Sequence, residues 1–158
     1  MSKEIITIER WGNDITSNQD IIGKTIKKIR FNEDYLILEF EDSIFAMSVE
    51  GDCCSTSYFY DFYGVDSILN HKIREITSVE LDPTDLKASH SGESVEVYGY
   101  KIVCDDNEGE YNFYGTSRTG VFSFRNDSNG YYGGYCVPVS DTIDYESIPE
   151  ITKDVSGV

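Results

Sequence analysis

Short segments in which apolar and polar residues alternate, each ended by turn residues, constrain the fold of this chain more than any other feature. In residues 35–40, Leu36, Leu38 and Phe40 share one face of an extended chain. Residues 43–49 form the next strand-like run, and the very short connection between the two favours an antiparallel hairpin or meander. The 12 Tyr and eight Phe fit such a body, because aromatic rings pack well on a pleated surface.

Similar runs along the rest of the chain predict further strands. They lie at residues 26–31, 72–81, 94–104, 111–116, 120–125 and 131–139. Asn129-Gly130 is the strongest hairpin signal, because a type I′ turn needs positive φ at both central residues. It predicts that the strand before this dipeptide pairs with the strand after it.

Two segments, 13–23 and 55–64, predict short helices. The first has a capping Asn-Asp pair at its start and a glycine at its end. In the second, Ser55 is suited to be the N-cap, and Phe59 and Phe62 lie at helical spacing.

A weak internal similarity links residues 22–29 with residues 69–76. In both, a turn residue precedes a basic, strand-like run that carries Ile residues three apart. Two short matches do not define a repeat protein. They predict two similar strand starts within one sheet.

These elements predict a single domain of the α+β class. We expect a mainly antiparallel sheet of about six or seven strands with one or two short helices. At 158 residues the chain is long enough to bury one core. We assign residues 1–139 to this domain and residues 140–158, with five acidic side chains and one Lys, to a partly mobile acidic tail.

The charge narrows the classes of partner. Thirteen Lys and Arg against 29 Asp and Glu leave a net charge of −16. This argues against direct nucleic-acid binding, which depends on neutralising phosphates, and against docking on anionic membranes. An acidic surface keeps a small protein dispersed, and it also imitates the charge of nucleic acid.

The sequence also allows predictions of cellular location and oligomeric state. No stretch approaches the roughly 20 apolar residues that span a membrane, and the first residues lack the apolar core of a signal peptide. We therefore expect a cytoplasmic protein. The aromatic content exceeds what one small core requires, which favours a homo-oligomer.

The Cys and His residues do not form a metal motif. Cys53, Cys54, Cys104 and Cys136 lack the C-x-x-C spacing of a zinc site, and in a reducing cytosol thiols are expected rather than disulfides. His71 and His90 are far apart in sequence and are interpreted as bystanders. We predict neither a metal nor a cofactor.

The first candidate binding segment is Gly51-Asp52-Cys53-Cys54-Ser55. A small polar turn before a predicted helix leaves backbone N–H groups that suit an anion, and a thiol there would have a lowered pKa. The alternative is a structural turn. Catalysis by either thiol needs a His base, and none is close in sequence. We include Tyr58, which follows this turn, among the candidate ligand contacts.

The second candidate segment surrounds the hairpin signal. Gly133 and Gly134 would let backbone come near a ligand, and Arg125 is a planar cation able to hold phosphate or carboxylate. The alternative is a tight hairpin with a glycine bulge. The candidate contacts here are Arg125, Asn126, Asn129, Gly130, Tyr131 and Tyr132.

Templates for common enzymes and nucleotide-binding motifs fail. The chain has no P-loop, no dinucleotide fingerprint and no nucleophile elbow. The acidic run at 105–110 lacks the ligand spacing of a calcium loop. The sequence therefore shows no recognisable catalytic apparatus.

Taken together, the pattern from Ile22-Gly23-Lys24-Thr25-Ile26 through Gly51-Asp52-Cys53-Cys54-Ser55 to Arg125-Asn126 and Ser128–Gly134 resembles a little-characterised family of small phage and bacterial proteins. The resemblance covers roughly residues 20–136. The Tyr-rich stretch after Ser55 and the acidic tail depart from the family pattern. The resemblance implies a phage context and supplies no activity.

The phage context ranks three hypotheses for the function of the protein. The first is a binding protein that acts against host defence by sequestering a small nucleotide-type immune signal. The second is an acidic inhibitor that binds a host defence protein directly, as a nucleic-acid mimic. The third is a thiol-dependent enzyme that uses Cys53 or Cys54.

Overall fold

The computed structural model describes residues 3–6, 15, 19–51, 56–81, 94–105, 117–128, 134–139 and 143–157. In this part of the chain, eleven strands form a six-stranded and a five-stranded sheet. The strands are β1 (Glu4–Ile5), β2 (Lys28–Phe31), β3 (Tyr35–Glu39), β4 (Ser43–Gly51), β5 (Thr56–Tyr63), β6 (Ile73–Val79), β7 (Ser94–Asp105), β8 (Ser117–Ser128), β9 (Gly134–Pro138), β10 (Glu150–Ile151) and β11 (Val155–Ser156). The helix α1 spans Val65–Ile68, and 3-10 helices span Gln19–Ile21 and Tyr145–Ser147.

The predicted antiparallel β body with short helices is confirmed, whereas the single sheet of six or seven strands is wrong. The first sheet has the order β1-β4-β3-β2-β10, with β9 also paired to β4, and the second has the order β11-β5-β8-β7-β6. Only the β1–β4 pairing among these is parallel. The described helices span three or four residues, too few to cover a sheet, so each sheet buries its apolar face against the other.

The shared core lies between the sheets. Phe31 of β2 contacts Phe59 and Phe62 of β5, with ring centroids 5.6 and 5.7 Å apart. Phe122 and Phe124 of β8 add two further buried rings to the same cluster. Aromatic packing across the two sheets therefore accounts for much of the Phe content noted in the sequence.

The helix predicted over residues 55–64 is wrong where the structure describes it, because 56–63 form β5. Residues three apart on a regular strand face opposite sides. Here a β-bulge between Phe59 and Phe62 shifts the register, and both rings are buried. The bulge therefore puts two buried residues three positions apart in a strand, a spacing that is otherwise typical of a helix. Gly64, with φ of 78°, separates β5 from α1.

The predicted hairpin around Asn129-Gly130 is also wrong in its strand pairing. Both edges of β8 are occupied, by β5 and by β7. β9 instead pairs with β4 in the other sheet, where Gly51 lies opposite Gly134. A local turn signal carries no information about whether the edges of the preceding strand are already paired with other strands.

The two halves of the chain repeat one arrangement. β2, β3 and β4 form a meander in the first sheet, and β5 then crosses to pair with β8. β6, β7 and β8 form a meander in the second sheet, and β9 then crosses to pair with β4. Each half therefore contributes its fourth strand to the sheet of the other half, as in a two-fold symmetric exchange.

Hydrogen bonds at the seam between β2 and β6 follow the same two-fold relation. Thr25 pairs with Lys72. The bond from Ile26 N to His71 O (3.1 Å) mirrors the bond from Ile73 N to Lys24 O (2.9 Å). The similar segments 22–29 and 69–76 thus lie against each other, in different sheets rather than in the one sheet predicted.

Residues 143–157, which the sequence assigned to a tail, belong to the fold. β10 pairs with β2 and β11 pairs with β5, so this segment joins both sheets. Tyr145 and Ile148 are buried against the outer face of the first sheet. This cover explains why β3 is buried on both faces, although its residues alternate as predicted.

Candidate functional site

The two candidate binding segments identified in the sequence adjoin neighbouring strand ends. Gly51 pairs with Gly134, and Thr56 pairs with Asp127. We call this the motif end of the molecule, defined by Gly51, Thr56, Asp127 and Gly134. Eight predicted contacts lie outside the described residues: Asp52, Cys53, Cys54, Ser55, Asn129, Gly130, Tyr131 and Tyr132.

The three predicted contacts that are described separate into two groups. Arg125 and Asn126 are adjacent on β8 and therefore face opposite sides of the sheet. Tyr58 lies directly across from Arg125. The structure thus brings Tyr58 and Arg125 together and places Asn126 elsewhere.

Asn126 is part of the packed interior at the motif end. It is 0% exposed, and its Oδ1 accepts a hydrogen bond from Ser57 Oγ at 2.8 Å. A Cβ added at Gly134 would lie 2.5 Å from Ser57 Oγ and 3.1 Å from Asn126 Cβ. Glycine therefore lets β9 pass closely over this pair, which gives Asn126 a structural role.

Arg125 lies on the outer face of the second sheet among aromatic side chains. Its Cζ is 3.4 Å from the ring centroid of Tyr60, and the rings of Tyr58 and Tyr60 are 6.4 Å apart. All three side chains are half-buried. In the described part of the chain Arg125 makes no ion pair. Its stacked guanidinium keeps in-plane N–H donors for a phosphate or carboxylate.

Asp127 completes this group, two residues along the same face. Its carboxylate lies near enough to Tyr58 to act on that phenol electrostatically. Burial, and then the negative charge of Asp127, raise the pKa of Tyr58, so the phenol remains a neutral donor. Asp127 Oδ1 is buried and has no hydrogen-bond partner among the described residues. We name Tyr58, Tyr60, Arg125 and Asp127 the Arg125 cluster.

A concavity of mixed polarity, with Ser78 and Glu80 in its lining, lies one strand away from the cluster. Val97 of β7 pairs with Arg125, and it lines a concavity of about 380 Å³ together with Val79, Leu81 and Gly99. A Cβ at Gly99 would lie 2.7 Å from Leu81 Cδ1, so glycine allows Leu81 to lie close over the strand. The volume is within the range of small-ligand pockets.

Sequence reasoning missed Tyr60 and Asp127. Both lie two residues from a predicted contact, and period two places such residues on one face of a strand. Interpreting 55–64 as a helix removed that relation for Tyr58 and Tyr60. For Arg125 and Asp127 the relation was available, because Arg125 ends the predicted strand 120–125 and Asp127 lies two residues beyond it.

The described thiols are not suited to nucleophilic chemistry. Burial raises the pKa of Cys104 to about 12, and burial raises that of Cys136 further. A thiol with such a pKa stays protonated near neutral pH, and the thiolate is the reactive form.

His71 lies far from the motif end of the molecule. Its Nδ1 lies 3.1 Å from the carbonyl oxygen of Asp105, at the last residue of β7. Thr56 belongs to the opposite end of the sheet, since its partner Asp127 pairs with Val95. The stretch of β7 from Val95 to Asp105 is roughly 33 Å long at about 3.3 Å per residue, which separates His71 from Thr56 and the rest of the motif end. His90 lies outside the described residues.

The described ranges also bear on metal binding and on membrane crossing. No group of three His, Cys, Asp or Glu side chains in them is placed to hold a metal ion. No helix in these ranges combines the length and apolar character needed to cross a membrane.

The fold defines a two-sheet, mostly β protein with a guanidinium–aromatic cluster on one outer face. The chain belongs to the family described as Domain of unknown function (DUF7448), whose model matches residues 19–137. It is also similar to Uncharacterized protein L278 of Acanthamoeba polyphaga mimivirus, with 31% identity over 120 residues, 70% of this chain and 82% of that protein. No solved structure matches the chain. The family match includes the Arg125 cluster and ends before residues 143–157.

Proposed function

We propose that the protein is a non-enzymatic binding protein that sequesters a small nucleotide-type ligand, with the Arg125 cluster and the neighbouring concavity as its site. The observation that carries the proposal is the Arg125 guanidinium stacked 3.4 Å from the centre of the Tyr60 ring, half-buried and with no ion pair in the described part of the chain. Such a group binds phosphate through two parallel hydrogen bonds. The aromatic and apolar surface beside it suits a base.

The net charge of −16 is compatible with an anionic ligand. Charges farther away than about 8 Å are screened at physiological salt, so the groups at the site decide. Arg125 is the cation nearest to Tyr58 and Tyr60 on this face. Because the carboxylate of Asp127 offsets the charge of Arg125 within the cluster, the directed N–H donors of the guanidinium, rather than a net positive charge, would hold a phosphate.

The biological context of the proposal is viral. The motifs resemble a phage and bacterial family, and the similar protein L278 comes from a virus, Acanthamoeba polyphaga mimivirus. We infer that the protein acts in the host cytoplasm, as a homo-oligomer, by removing a nucleotide immune signal from solution.

Equilibrium binding of cyclic and ADP-ribose-type nucleotides tests the proposal. We expect native mass spectrometry to detect a retained nucleotide, and Arg125→Ala to weaken its binding by roughly tenfold or more, since a charge-assisted contact is lost. Arg74→Ala is the matched control, because Arg74 is exposed and pairs with Asp105 at the opposite end of β7. Failure of every nucleotide to bind, or full affinity in Arg125→Ala, would refute the proposal.

The acidic surface supports a second candidate, direct inhibition of a basic host defence protein. Binding of this kind weakens steeply as salt is raised from about 50 to 200 mM, because it depends on charge. Arg125→Ala would strengthen or preserve it, in contrast to the expected effect on nucleotide binding. Binding that survives high salt unchanged would exclude the mimic.

A further inference from the structure

The β-bulge in β5 carries the ring on which the guanidinium of the cluster stacks. The register with β8 shifts between Phe59 and Phe62, so that Tyr60 and Asp61 together lie opposite Ser123. At a bulge the strand ladder is locally disrupted, and the extra residue is left without a regular partner. The direction of the Tyr60 ring therefore depends on what holds the bulge in place.

Contacts from two sides hold this bulge. On the side of β8, the Asp61 N–H group donates to Ser123 Oγ at 3.3 Å. On the other side, the N–H group of Gly157, directly after β11, donates to the Tyr60 carbonyl oxygen at 3.0 Å and to Asp61 Oδ1 at 3.1 Å. The C-terminal segment therefore fixes the backbone of Tyr60 from the edge of β5 that faces away from β8.

Gly157 also lies beside the Tyr60 ring itself. Its φ of 77° is in the region that glycine favours, and a Cβ added there would lie 3.3 Å from both Cζ and Oη of Tyr60. The face of the same ring receives the Arg125 guanidinium, with Cζ 3.4 Å from the ring centroid. One residue of the C-terminal segment thus adjoins both the backbone and the ring of the stacking partner.

The C-terminal segment has further anchors that do not involve the bulge. Asp154 Oδ1 accepts hydrogen bonds from the N–H groups of Gly64 at 2.8 Å and Val65 at 3.2 Å. Ser156 Oγ accepts a hydrogen bond from the Tyr63 hydroxyl at 3.1 Å. The segment should therefore stay attached to the fold when its contact with the bulge alone is removed.

We infer that Gly157 is a positioning residue for the Arg125 cluster, which fixes the Tyr60 ring where Arg125 stacks on it and thereby raises the affinity for the phosphate of the ligand. The inference rests on the proposed function. A guanidinium already held against a ring loses less conformational entropy when it binds phosphate. Gly157 lies outside residues 19–137, which the family model matches, so the affinity would be tuned from beyond the family region.

Nuclear magnetic resonance of the ligand-free protein tests the positioning. Gly157→Pro removes the N–H group and sets φ near about −65°, so the contact with the bulge is lost. Protons held over an aromatic face are shifted upfield by the ring current. We expect the Arg125 Nε–H and Cδ protons of Gly157→Pro to move towards their positions in Tyr60→Leu, which lacks the ring. Ser156→Ala, the neighbouring position in the same segment, is the matched control and should keep the unmodified shifts.

Calorimetric titration with ADP-ribose tests the consequence for binding. We expect Gly157→Pro to bind this probe about threefold to tenfold more weakly, the range of a lost cation–π contact, and Ser156→Ala to stay within about twofold of the unmodified protein. Urea midpoints of the two variants should agree, which separates positioning of the ring from a general loss of stability.

The unmodified protein gives a third measurement. Coupling between two sites is reciprocal, so a segment that favours ligand binding is itself favoured by the ligand. We expect saturation with ADP-ribose to slow hydrogen exchange of the Gly157 amide. Slower exchange supports the inference even where Gly157→Pro fails to fold, and unchanged exchange contradicts it.

The outcomes separate the inference from the function on which it rests. If Gly157→Pro keeps the Arg125 shifts or the full affinity for ADP-ribose, Gly157 does not position the site, although the protein still binds a nucleotide. If neither ADP-ribose nor any other nucleotide binds, the proposed function fails and the effect on affinity fails with it. The Arg125 shifts then still decide whether Gly157 holds the Tyr60 ring.

Discussion

The outer faces of the two sheets are built by the same strand order, but they differ in what covers them. On the first sheet, Ile37 and Ile44 are fully buried beneath Tyr145 and Ile148. On the second sheet, the Arg125 cluster is half-buried, and the C-terminal segment reaches it only at Gly157, which lies beside the Tyr60 ring in the described part of the chain. The covering segment lies outside the family match. Under the proposed function, the covered face contributes to stability and the half-buried face binds the ligand.

Arg30 and Arg125 show the same difference between the two faces at the level of single residues. Arg30 Cζ lies 5.9 Å from the ring centre of Tyr145, and Arg125 Cζ lies 3.4 Å from that of Tyr60. The Arg30 donors are satisfied by the protein, since Nε bonds Glu39 at 2.6 Å and Nη1 bonds the Ile148 carbonyl at 2.9 Å. What separates a structural arginine from a candidate binding arginine is therefore whether the fold satisfies its donors.

The largest effect is expected for Glu39→Ala on the covered face. Glu39 is 4% exposed and lies between Arg30 and Lys3, so its removal leaves two partly buried cations without an ionic partner. We expect a loss of about 3 to 5 kcal/mol in the free energy of unfolding, measured by urea denaturation. Glu50→Ala, an exposed control on β4, should change it by less than about 0.5 kcal/mol. Similar values for the two variants would contradict the structural role of this face.

A smaller effect is expected for Ile148→Ala, which removes part of the cover itself. Ile148 is buried against the first sheet, and truncation leaves a cavity that costs about 2 to 4 kcal/mol. Val97→Ala, on the half-buried outer face of the second sheet, should cost less than about 1 kcal/mol. Urea denaturation of both variants measures the difference, and a larger cost at Val97 would reverse the comparison.

Arg125→Ala should change stability by only about 0.5 to 1 kcal/mol, the size of an exposed cation–π contact. Its effect on ligand affinity is expected to be larger than its effect on unfolding. Paired urea and binding measurements on the same preparation show which dominates. A loss of stability comparable to that of Glu39→Ala would identify Arg125 as structural.

No reaction with thiol reagents is expected for the cysteines in the interior that the two sheets share. Cys136 of the first sheet and Cys104 of the second are both buried, so neither should react with a thiol reagent in the native protein at pH 8. Because burial raises the pKa of Cys104 to about 12, its labelling should stay suppressed above the usual thiol range and rise only as pH approaches that value. Peptide mapping by mass spectrometry reports each site, and rapid native labelling at pH 8 of either residue would contradict the burial.

How much of the fold could be predicted from the sequence depended on whether the interactions involved are local or join residues far apart in the chain. β3 and β4 were predicted closely because alternation and a short connection are local properties. β5 was mistaken for a helix because its bulge places Phe59 and Phe62 at a spacing that one-dimensional patterns assign to helices. The pairing of β9 with β4 had no local signal, since it depends on β8 being occupied on both sides.

For the site, the sequence by itself identified Tyr58 and Arg125 as binding candidates, from residue chemistry and neighbouring glycines. It also determined the acidic charge and the strand-rich body, because composition and period two are written directly in the chain. Only the tertiary structure decided that Asn126 faces the interior, that Tyr60 and Asp127 join Arg125, and that residues 143–157 cover one sheet. These outcomes depend on which strands are neighbours and which faces are covered, and both are settled by contacts between residues far apart in sequence.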